Sequence, residues 1–308
     1  MRVLVTGGAG FIGSHLVRAL LLRGDSVSVL DNFDDAYDPA RKVANLDGLP
    51  IDLTEGDVRD RSAVEEAMRG VDAVVHLAAK AGVRESLEHP AEYASVNVGG
   101  TVTLLEALRQ RVDVPLVFAS SSSVYGERVE GPFKESDGLG FPSSPYAGSK
   151  RAAELMCHGA YLSTGVPITM LRFFTVYGPR QRPAMAISKF LRAAQLGEPV
   201  ELFGDGSSRR DYTHVSDAVR AILAAVDAPQ GCSVFNVGGG APVRLTELVA
   251  AIEEAVGRPM KVRHIATQPG DVSLTWSDPS RIRQALGWEA EVSLVDGLRT
   301  MLEDSTTP

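Results

Sequence analysis

The chain has 308 residues, of which 44% are hydrophobic, and it carries a net charge of −8. This acidic balance argues against nucleic acid and against an anionic membrane as partners. Two cysteines are too few for a disulfide framework, the start has no signal-peptide pattern, and no apolar run approaches the roughly 20 residues of a membrane span. The sequence therefore predicts a soluble, cytoplasmic protein.

The first half of the chain alternates short apolar runs with helical patterns. Predicted strands cover 2–6, 26–31, 51–57, 72–78, 114–120 and 168–174, and predicted helices cover 11–24, 61–69, 93–111 and 146–165. This alternation is typical of an α/β doubly wound fold with a parallel sheet. Prolines and glycines then divide the chain into shorter pieces, with predicted helices at 184–197, 215–227, 245–256 and 293–303. We expect a sheet domain in 1–175 and a smaller region in 176–308, some of whose segments return to the sheet.

Three glycines lie between the first predicted strand and the first predicted helix. In the stretch VTGGAGFIG, Gly7, Gly10 and Gly13 are three residues apart. Glycines there allow a tight turn and a close approach of the backbone to a pyrophosphate, which lies at the positive helix N-terminus. Asp31 follows at the end of the second strand. A carboxylate at this position accepts hydrogen bonds from both ribose hydroxyls and repels a 2′-phosphate. The pattern predicts a site for NAD rather than NADP.

The stretch YAGSK places Tyr146 and Lys150 four residues apart near the start of a predicted helix, so both lie on one face. A free tyrosine has a pKa near 10, and a neighbouring ammonium stabilises the phenolate. Tyr146 would then take the proton of an alcohol while its carbon is oxidised. Downstream of a dinucleotide loop, this pair predicts redox chemistry at an alcohol.

These motifs resemble the extended short-chain dehydrogenase/reductase family, and the resemblance covers essentially the whole chain. Besides the glycine loop, Asp31 and YAGSK, it is carried by LAA (77–79), NVGGT (97–101) and the serine-VYG stretch. Within that family the chain is most similar to the NAD-dependent nucleotide-sugar epimerases. The resemblance implies a Rossmann domain that binds NAD through Gly7, Gly10, Phe11, Ile12, Gly13, Asp31, Asn32, Asp57, Val58, Leu77, Ala78, Ala79, Asn97, Tyr146 and Lys150.

Four serines, 120–123, close the predicted strand 114–120, at the edge where doubly wound sheets bind their ligands. The resemblance implies that Ser121, four residues before the tyrosine of VYG, binds the 4-oxygen of the sugar and acts with Tyr146 and Lys150. Related sugar dehydratases carry an Asp-Glu pair after this hydroxyl, and UDP-glucuronate decarboxylases carry a glutamate. Ser122 and Ser123 cannot do that acid–base work, so we expect 4-epimerisation.

The stretch RFFTVYGPRQRP (172–183) resembles the UDP-glucuronate 4-epimerases more closely than the UDP-galactose enzymes. This implies that Ser122, Ser123 and Thr175 bind the substrate carboxylate, with Arg182 close by. Arg210 and Arg84 are expected at the diphosphate, and Asp271 at the nucleotide ribose or the phosphate loop. Lys80, where relatives often have Gln, and Ala184, where the glucuronate group usually has Asp, depart from the family pattern.

Two other hypotheses stay open at this point. One is a UDP-glucose/UDP-galactose 4-epimerase, and the other is a non-catalytic NAD-binding regulator on the same fold. The six histidines show no metal-ligand spacing, so we expect no metal, and His76 is expected to be a core residue. The resemblance further implies a homodimer, with 101–110 and 152–162 as the candidate interface helices.

Overall fold

The computed structural model describes residues 1–266 and 272–305. The strands are β1 (Arg2–Thr6), β2 (Ser26–Asp31), β3 (Asp52–Glu55), β4 (Ala73–His76), β5 (Leu116–Ser121), β6 (Ile168–Phe173), β7 (Thr175–Tyr177), β8 (Pro199–Phe203), β9 (Arg209–His214), β10 (Cys232–Val237), β11 (Pro242–Arg244) and β12 (Lys261–Ile265). The α-helices are α1 (Phe11–Arg23), α2 (Pro39–Leu46), α3 (Arg61–Ala67), α4 (Val83–Glu88), α5 (Pro90–Ala94), α6 (Thr101–Leu108), α7 (Pro145–Thr164), α8 (Ala186–Leu196), α9 (Val215–Asp227), α10 (Leu245–Val256), α11 (Ser280–Leu286) and α12 (Leu294–Ser305).

The chain forms two compact units that alternate along the sequence. The first unit contains Met1–Gly126, Gly138–Arg172 and Val219–Phe235, and the second contains the remaining described residues. The segment Val219–Phe235 therefore returns to the first unit after the chain has entered the second. The division into domains 1–175 and 176–308 stays a prediction.

The first unit is built on a sheet that, within the described residues, has seven strands in the order β10-β6-β5-β4-β1-β2-β3. β1 pairs in parallel with both β2 and β4, β2 pairs in parallel with β3, and β4 with β5. Parallel strands covered by helices on both faces are apolar along their whole length, and β1 is such a strand, with Val3, Leu4 and Val5 fully buried. The predicted doubly wound α/β fold is confirmed.

Local signals explain where the site-bearing helices begin and end. α1 ends at Gly24, which has a φ of 88°, a conformation that glycine adopts at no steric cost. α7 begins after Ser144, whose hydroxyl accepts a hydrogen bond from the backbone N–H of Ala147, and Pro145 occupies the first helical position. The predicted helix 93–111 is present as three consecutive pieces, with a π-helix (Ser95–Gly100) between α5 and α6.

Within the described residues, the second unit has its own core and two small sheets. Strands β11, β9 and β7 form one sheet, and β12 pairs in parallel with β8 in the other. The core packs side chains of α8, α10 and α12 together, including Phe190, Leu248, Ile252 and Leu298. In the described part of the chain, no helix is long and apolar enough to cross a membrane.

Candidate active site

The glycine loop after β1 leaves no room for side chains. Gly7 has a φ of 71°, and a Cβ on it would lie 2.7 Å from the backbone nitrogen of Ala78. A Cβ on Gly13 would overlap the carbonyl oxygen of Gly7. The first turn of α1, FIGS, carries no acidic side chain, so no negative side-chain charge opposes the binding of an anion at its backbone N–H groups. The loop fits a dinucleotide diphosphate.

Asp31, at the end of β2, is buried and already accepts two backbone hydrogen bonds. Its Oδ2 accepts from the N–H of Ala9 and its Oδ1 from the N–H of Phe33, both at 2.9 Å. Burial raises the pKa of this carboxyl, while the two N–H donors act in the opposite direction. Each oxygen keeps a lone pair, which fits the two hydroxyls of a ribose.

Asn32 and Asp57 lie beside each other at the ends of β2 and β3, because the amide of Asn32 donates to Asp57 Oδ2 at 3.2 Å. Val58 is buried in the core of the first unit. On the other side of β1, the half-buried segment Leu77–Ala79 is held by Thr6, whose carbonyl accepts from Leu77 N–H at 3.1 Å and whose hydroxyl accepts from Ala78 N–H at 3.2 Å. The structure thus brings these predicted cofactor residues to one edge of the sheet.

Asn97 joins three segments through its side-chain amide. Its Oδ1 accepts from the N–H of Lys80 at 2.8 Å, and its Nδ2 donates to the carbonyl of Lys80 and to Ser149 Oγ, both at 2.9 Å. Ser149 in turn donates to the carbonyl of Tyr146 at 2.8 Å. Asn97, in the π-helix, therefore links the loop after β4 to the first turn of α7.

His76 is a hydrogen-bonded linker as well as a core residue. Its Nδ1 lies 2.7 Å from Thr6 Oγ1, and its Nε2 lies 3.1 Å from Thr101 Oγ1. Thr101 donates to the carbonyl of Asn97 at 2.7 Å, so His76 must donate to Thr101 and accept from Thr6. Burial lowers the pKa of His76 to about 3, which keeps the ring neutral. A chain of bonds thus runs from β1 to Asn97.

The serines end β5 and open a 3₁₀ helix (Ser122–Tyr125). Ser121 caps that helix: its Oγ accepts from the N–H of Ser123 at 3.2 Å and from the hydroxyl of Ser123 at 2.9 Å. Ser121, Ser122 and Ser123 are all half-buried, so each stays partly accessible to solvent. The 3₁₀ helix packs against α7, which carries Tyr146 and Lys150.

Lys150 points from α7 to the end of β5. Its Nζ donates to the carbonyl of Ala119 at 2.9 Å and lies 5.2 Å from the centre of the Phe118 ring. Burial lowers the pKa of Lys150 to about 8. Tyr146 is half-buried, and its ring meets the Tyr93 ring edge to face at 6.2 Å. The three predicted catalytic residues are therefore on elements in direct contact.

A buried ion pair lies beneath this strand end. Glu154 in α7 accepts two hydrogen bonds from Arg172 of β6, at 2.9 and 2.8 Å, and one from Ser120 Oγ at 2.5 Å. The Arg172 guanidinium also stacks 4.8 Å from the centre of the Tyr125 ring. The sequence interpretation did not single out this pair, and its only signal was two charged residues within otherwise apolar patterns.

In the second unit, the predicted substrate residues lie near β7 and β9. Thr175 opens β7 and pairs with Tyr212 of β9, two residues after Arg210. Arg210 is half-buried, and its guanidinium donates to the carbonyl of Arg209 at 3.0 Å. Arg182 is half-buried, with its Nη2 3.7 Å from the sulfur of Met185.

The other positions named from the sequence are exposed or lie outside the described residues. Arg84 is exposed on α4 in the first unit, and Ala184 is exposed in the second. Asp271 lies outside the described residues. In the described ranges, no group of three His, Cys, Asp or Glu side chains is arranged to hold a metal ion.

Asp211 was missed by the sequence interpretation. It neighbours Arg210, is fully buried, and accepts hydrogen bonds from the backbone N–H groups of Gly239 and Ser277, both at 2.8 Å, and from the Ser277 hydroxyl at 2.6 Å. Because a buried carboxylate is costly unless fully hydrogen-bonded, this arrangement fixes β9 against the neighbouring loops. Asp211 therefore holds the strand that carries Arg210.

A parallel sheet with a glycine loop fitted to a dinucleotide, and with a serine, a tyrosine and a lysine at its carboxyl edge, defines an enzyme of the short-chain dehydrogenase/reductase type. The model of the NAD dependent epimerase/dehydratase family matches residues 3–238, and the chain belongs to that family. The resemblance read from the sequence is confirmed.

Relatives of known name agree with this assignment. The chain is 37% identical over 303 residues to a UDP-glucuronate 4-epimerase of Thermodesulfobacterium geofontis, with 96% of this chain and 93% of the relative covered. The structure of UDP-glucuronic acid 4-epimerase from Bacillus cereus in complex with UDP-glucuronic acid and NAD is similar at a TM-score of 0.92 and 34% identity, covering 99% of this chain and 98% of that one. UDP-glucose 4-epimerase with UDP-glucose from Thermotoga maritima has the same TM-score, identity and coverage.

Proposed function

We propose that this chain catalyses the NAD-dependent 4-epimerisation of UDP-glucuronate to UDP-galacturonate. The observation that carries the proposal is the end of β5, where Ser121, Ser122 and Ser123 offer hydroxyls beside α7. Glu154, a carboxylate that reaches this strand end, is buried and committed to Arg172. Elimination of water from the sugar requires an acid and a base at this position, whereas epimerisation does not.

Tyr146, Ser121 and Lys150 have different roles in moving the proton of the 4-hydroxyl of the sugar. Tyr146 accepts the proton of the 4-hydroxyl, and Ser121 donates a hydrogen bond to the same oxygen. Lys150 stays mostly protonated at neutral pH, and its ammonium favours the phenolate of Tyr146. NAD, when bound, supplies the reversible oxidation of C4. Tyr146 then returns the proton to the 4-oxygen of the sugar that has been reduced on its other face.

The assignment of the acid sugar rests on the residues rather than on overall similarity, because UDP-glucuronate and UDP-glucose enzymes match the chain equally well. Hydroxyl donors at Ser122, Ser123 and Thr175, with the cation of Arg182, are suited to a carboxylate, which needs several donors when it leaves water. Arg84, Arg210 and Asp271 are proposed for the nucleotide diphosphate and ribose.

A UDP-glucose 4-epimerase is the second candidate, and one observation favours it. The hydroxyl of Ser123 donates to Ser121, so it is already engaged by the protein. If that bond persists with substrate, one of the proposed carboxylate donors is lost, and a neutral sugar is accommodated more easily.

We also propose that the protein is a cytoplasmic homodimer, with neither nucleic acid nor a membrane as partner. The surface of α7 supports self-association, because Leu155, Met156 and Leu162 are exposed there within about two turns of the helix. Sedimentation of the purified protein at several concentrations measures this directly, and a monomer at all of them would contradict it.

The reaction itself is tested with purified protein and each sugar nucleotide in turn. We expect UDP-glucuronate to be converted to UDP-galacturonate, and NMR distinguishes the product from the substrate. NAD released by heat from the same preparation should be present before and after turnover in equal amount. Stoichiometric accumulation of NADH, or faster conversion of UDP-glucose, would contradict the proposal.

A further inference from the structure

Lys80 bridges two acidic side chains from different elements of the first unit. Its Nζ lies 2.9 Å from Asp34 Oδ2 and 2.9 Å from Glu92 Oε1. Asp34 belongs to the loop after β2, three residues beyond Asp31, and Glu92 lies in α5. The Lys80 side chain is only 12% exposed. Such a shielded bridge is screened less by solvent than an ordinary surface ion pair.

The backbone of Lys80 makes a second, separate connection. Its N–H and carbonyl are both bonded to the side chain of Asn97, which also holds Ser149 next to Lys150 in α7. Lys80 therefore contacts the loop that follows Asp31 through its side chain, and its main chain is linked to the catalytic helix through Asn97. A change of side chain at position 80 removes the first connection and keeps the second.

If the Lys80 ammonium is removed, the carboxylates of Asp34 and Glu92 should repel each other, because both lie 2.9 Å from the same nitrogen atom. Asp34 is anchored to its own loop, where its Oδ1 accepts from the N–H of Ala36 at 2.9 Å. The pKa of Asp34 is lowered: burial raises it, and the bond from Lys80 is the leading opposing contribution. Repulsion between Asp34 and Glu92 would thus displace the loop that follows Asp31, the residue proposed to hold the adenosine ribose.

We propose that Lys80 is a positioning residue that ties the loop after β2, which follows Asp31, to α5 and so slows the release of NAD. The inference rests on the proposed epimerase, which returns electrons to the sugar from the same NAD molecule and gains from a cofactor that stays bound. The tie needs a cation between two carboxylates, which the lysine at position 80 supplies.

The test measures the rate at which purified holoenzyme exchanges its NAD for labelled NAD. We expect Lys80→Gln to speed the exchange by about two- to fivefold, the scale of a partly exposed ion pair. Lys80→Arg should retain slow exchange, because it keeps a cation between the two carboxylates, whereas Lys80→Met keeps most of the stem without the charge and should exchange as fast as Lys80→Gln. Arg61→Gln, which breaks the exposed pair with Glu65 on α3, is the matched control and should exchange as the wild type does.

Glu92→Gln separates the bridge from a direct contact between Lys80 and the NAD diphosphate. Loss of the bridge speeds the exchange, whereas a direct contact would be strengthened by removal of the competing carboxylate, and exchange would slow. Unchanged exchange in Lys80→Gln, or slowed exchange in Glu92→Gln, would overturn the inference. A wild-type preparation that holds no NAD at all would instead overturn the proposed function, so the two failures are distinct.

Discussion

Ser123 donates two hydrogen bonds to Ser121, one from its backbone N–H at 3.2 Å and one from its hydroxyl at 2.9 Å. Together they fill the lone pairs of Ser121 Oγ. The hydrogen that Ser121 still offers is its own, so it faces a substrate as a donor and not as an acceptor. A donor is the group that stabilises a 4-oxygen as that oxygen loses its proton.

The Ser121–Ser123 pair leads to a prediction about two neighbouring serines. Ser123→Ala removes the hydroxyl bond to Ser121, which should lower kcat on UDP-glucose by about tenfold, the loss of one hydrogen bond. It should lower kcat on UDP-glucuronate further, because that substrate also loses a proposed carboxylate donor. Ser122→Ala leaves Ser121 untouched and should act mainly on UDP-glucuronate. The measurement is kcat/KM for both substrates. A Ser123→Ala variant that loses activity only on the acid sugar would show that the bond from Ser123 to Ser121 does not contribute to catalysis.

Tyr146→Phe tests the general base. We expect turnover to fall by about 10²–10⁴, as for the loss of a general base, while NAD stays bound because the ring and its contact with Tyr93 remain. Tyr161→Phe, on the same helix four turns further on, is the control and should retain activity. Near-normal turnover of Tyr146→Phe would remove this residue from the mechanism.

Arg182→Ala tests the substrate carboxylate. Because a site with buried donors rejects an analogue that leaves them unpaired, the wild type should favour UDP-glucuronate over UDP-glucose. The variant should lose more activity on the acid sugar than on the neutral one, and the ratio of the two kcat/KM values reports the change. Arg192→Ala, exposed on α8, is the matched control. Equal losses on both substrates would assign Arg182 to the phosphates or to the loop structure.

Lys150→Met tests the cost of burying an ammonium. The pKa of Lys150 falls from 10.5 to about 8 on burial, so the folded state binds fewer protons than the unfolded state between these pH values. The free energy of unfolding should therefore rise with pH across that window and be lowest below it. Because Lys150→Met buries no cation, its free energy of unfolding without NAD should exceed that of the NAD-free wild type at pH 7 by about 1–3 kcal/mol.

Thermal unfolding of the NAD-free proteins at pH 7 and pH 10 measures this difference. The melting temperature of Lys150→Met should exceed that of the wild type at pH 7, and the gap should narrow at pH 10. Lys189→Met, at an exposed site on α8, should show no such pH-dependent gap. A gap that widens toward pH 10 would contradict burial as the cause of the lowered pKa.

The bounds of the main elements of the first unit could be predicted because their signals are local. Gly24 and Gly165 end α1 and α7 in the left-handed conformation, and Ser144 with Pro145 starts α7. The short helices α2 and α4 could not be predicted, since each has few buried residues to set a period. The short strands of the second unit likewise depend on partners far away in the chain.

The residue types of the candidate site could be predicted, but the contacts that hold them could not. The bond from Ala9 to Asp31 joins residues 22 positions apart, and the bonds of His76 to Thr6 and to Thr101 join residues 70 and 25 positions apart. Such pairs have no periodicity and no fixed spacing in a single sequence. Lys80 was visible only as a departure from the family pattern, and its two carboxylate partners emerged from the fold.

The position of β10 in the sheet has a consequence for synthesis on the ribosome. Six of the seven strands described in the first unit are complete by Phe173, yet the neighbour of β6 is made only at Cys232–Val237. Until then, the N–H and C=O groups along the outer side of β6 lack their partner strand, and such open edges invite pairing with other chains. A nascent chain that stalls between the two strands is therefore prone to aggregation. A fragment that ends after residue 175 should precipitate, whereas a fragment that ends after β10 contains all seven strands and should fold the sheet.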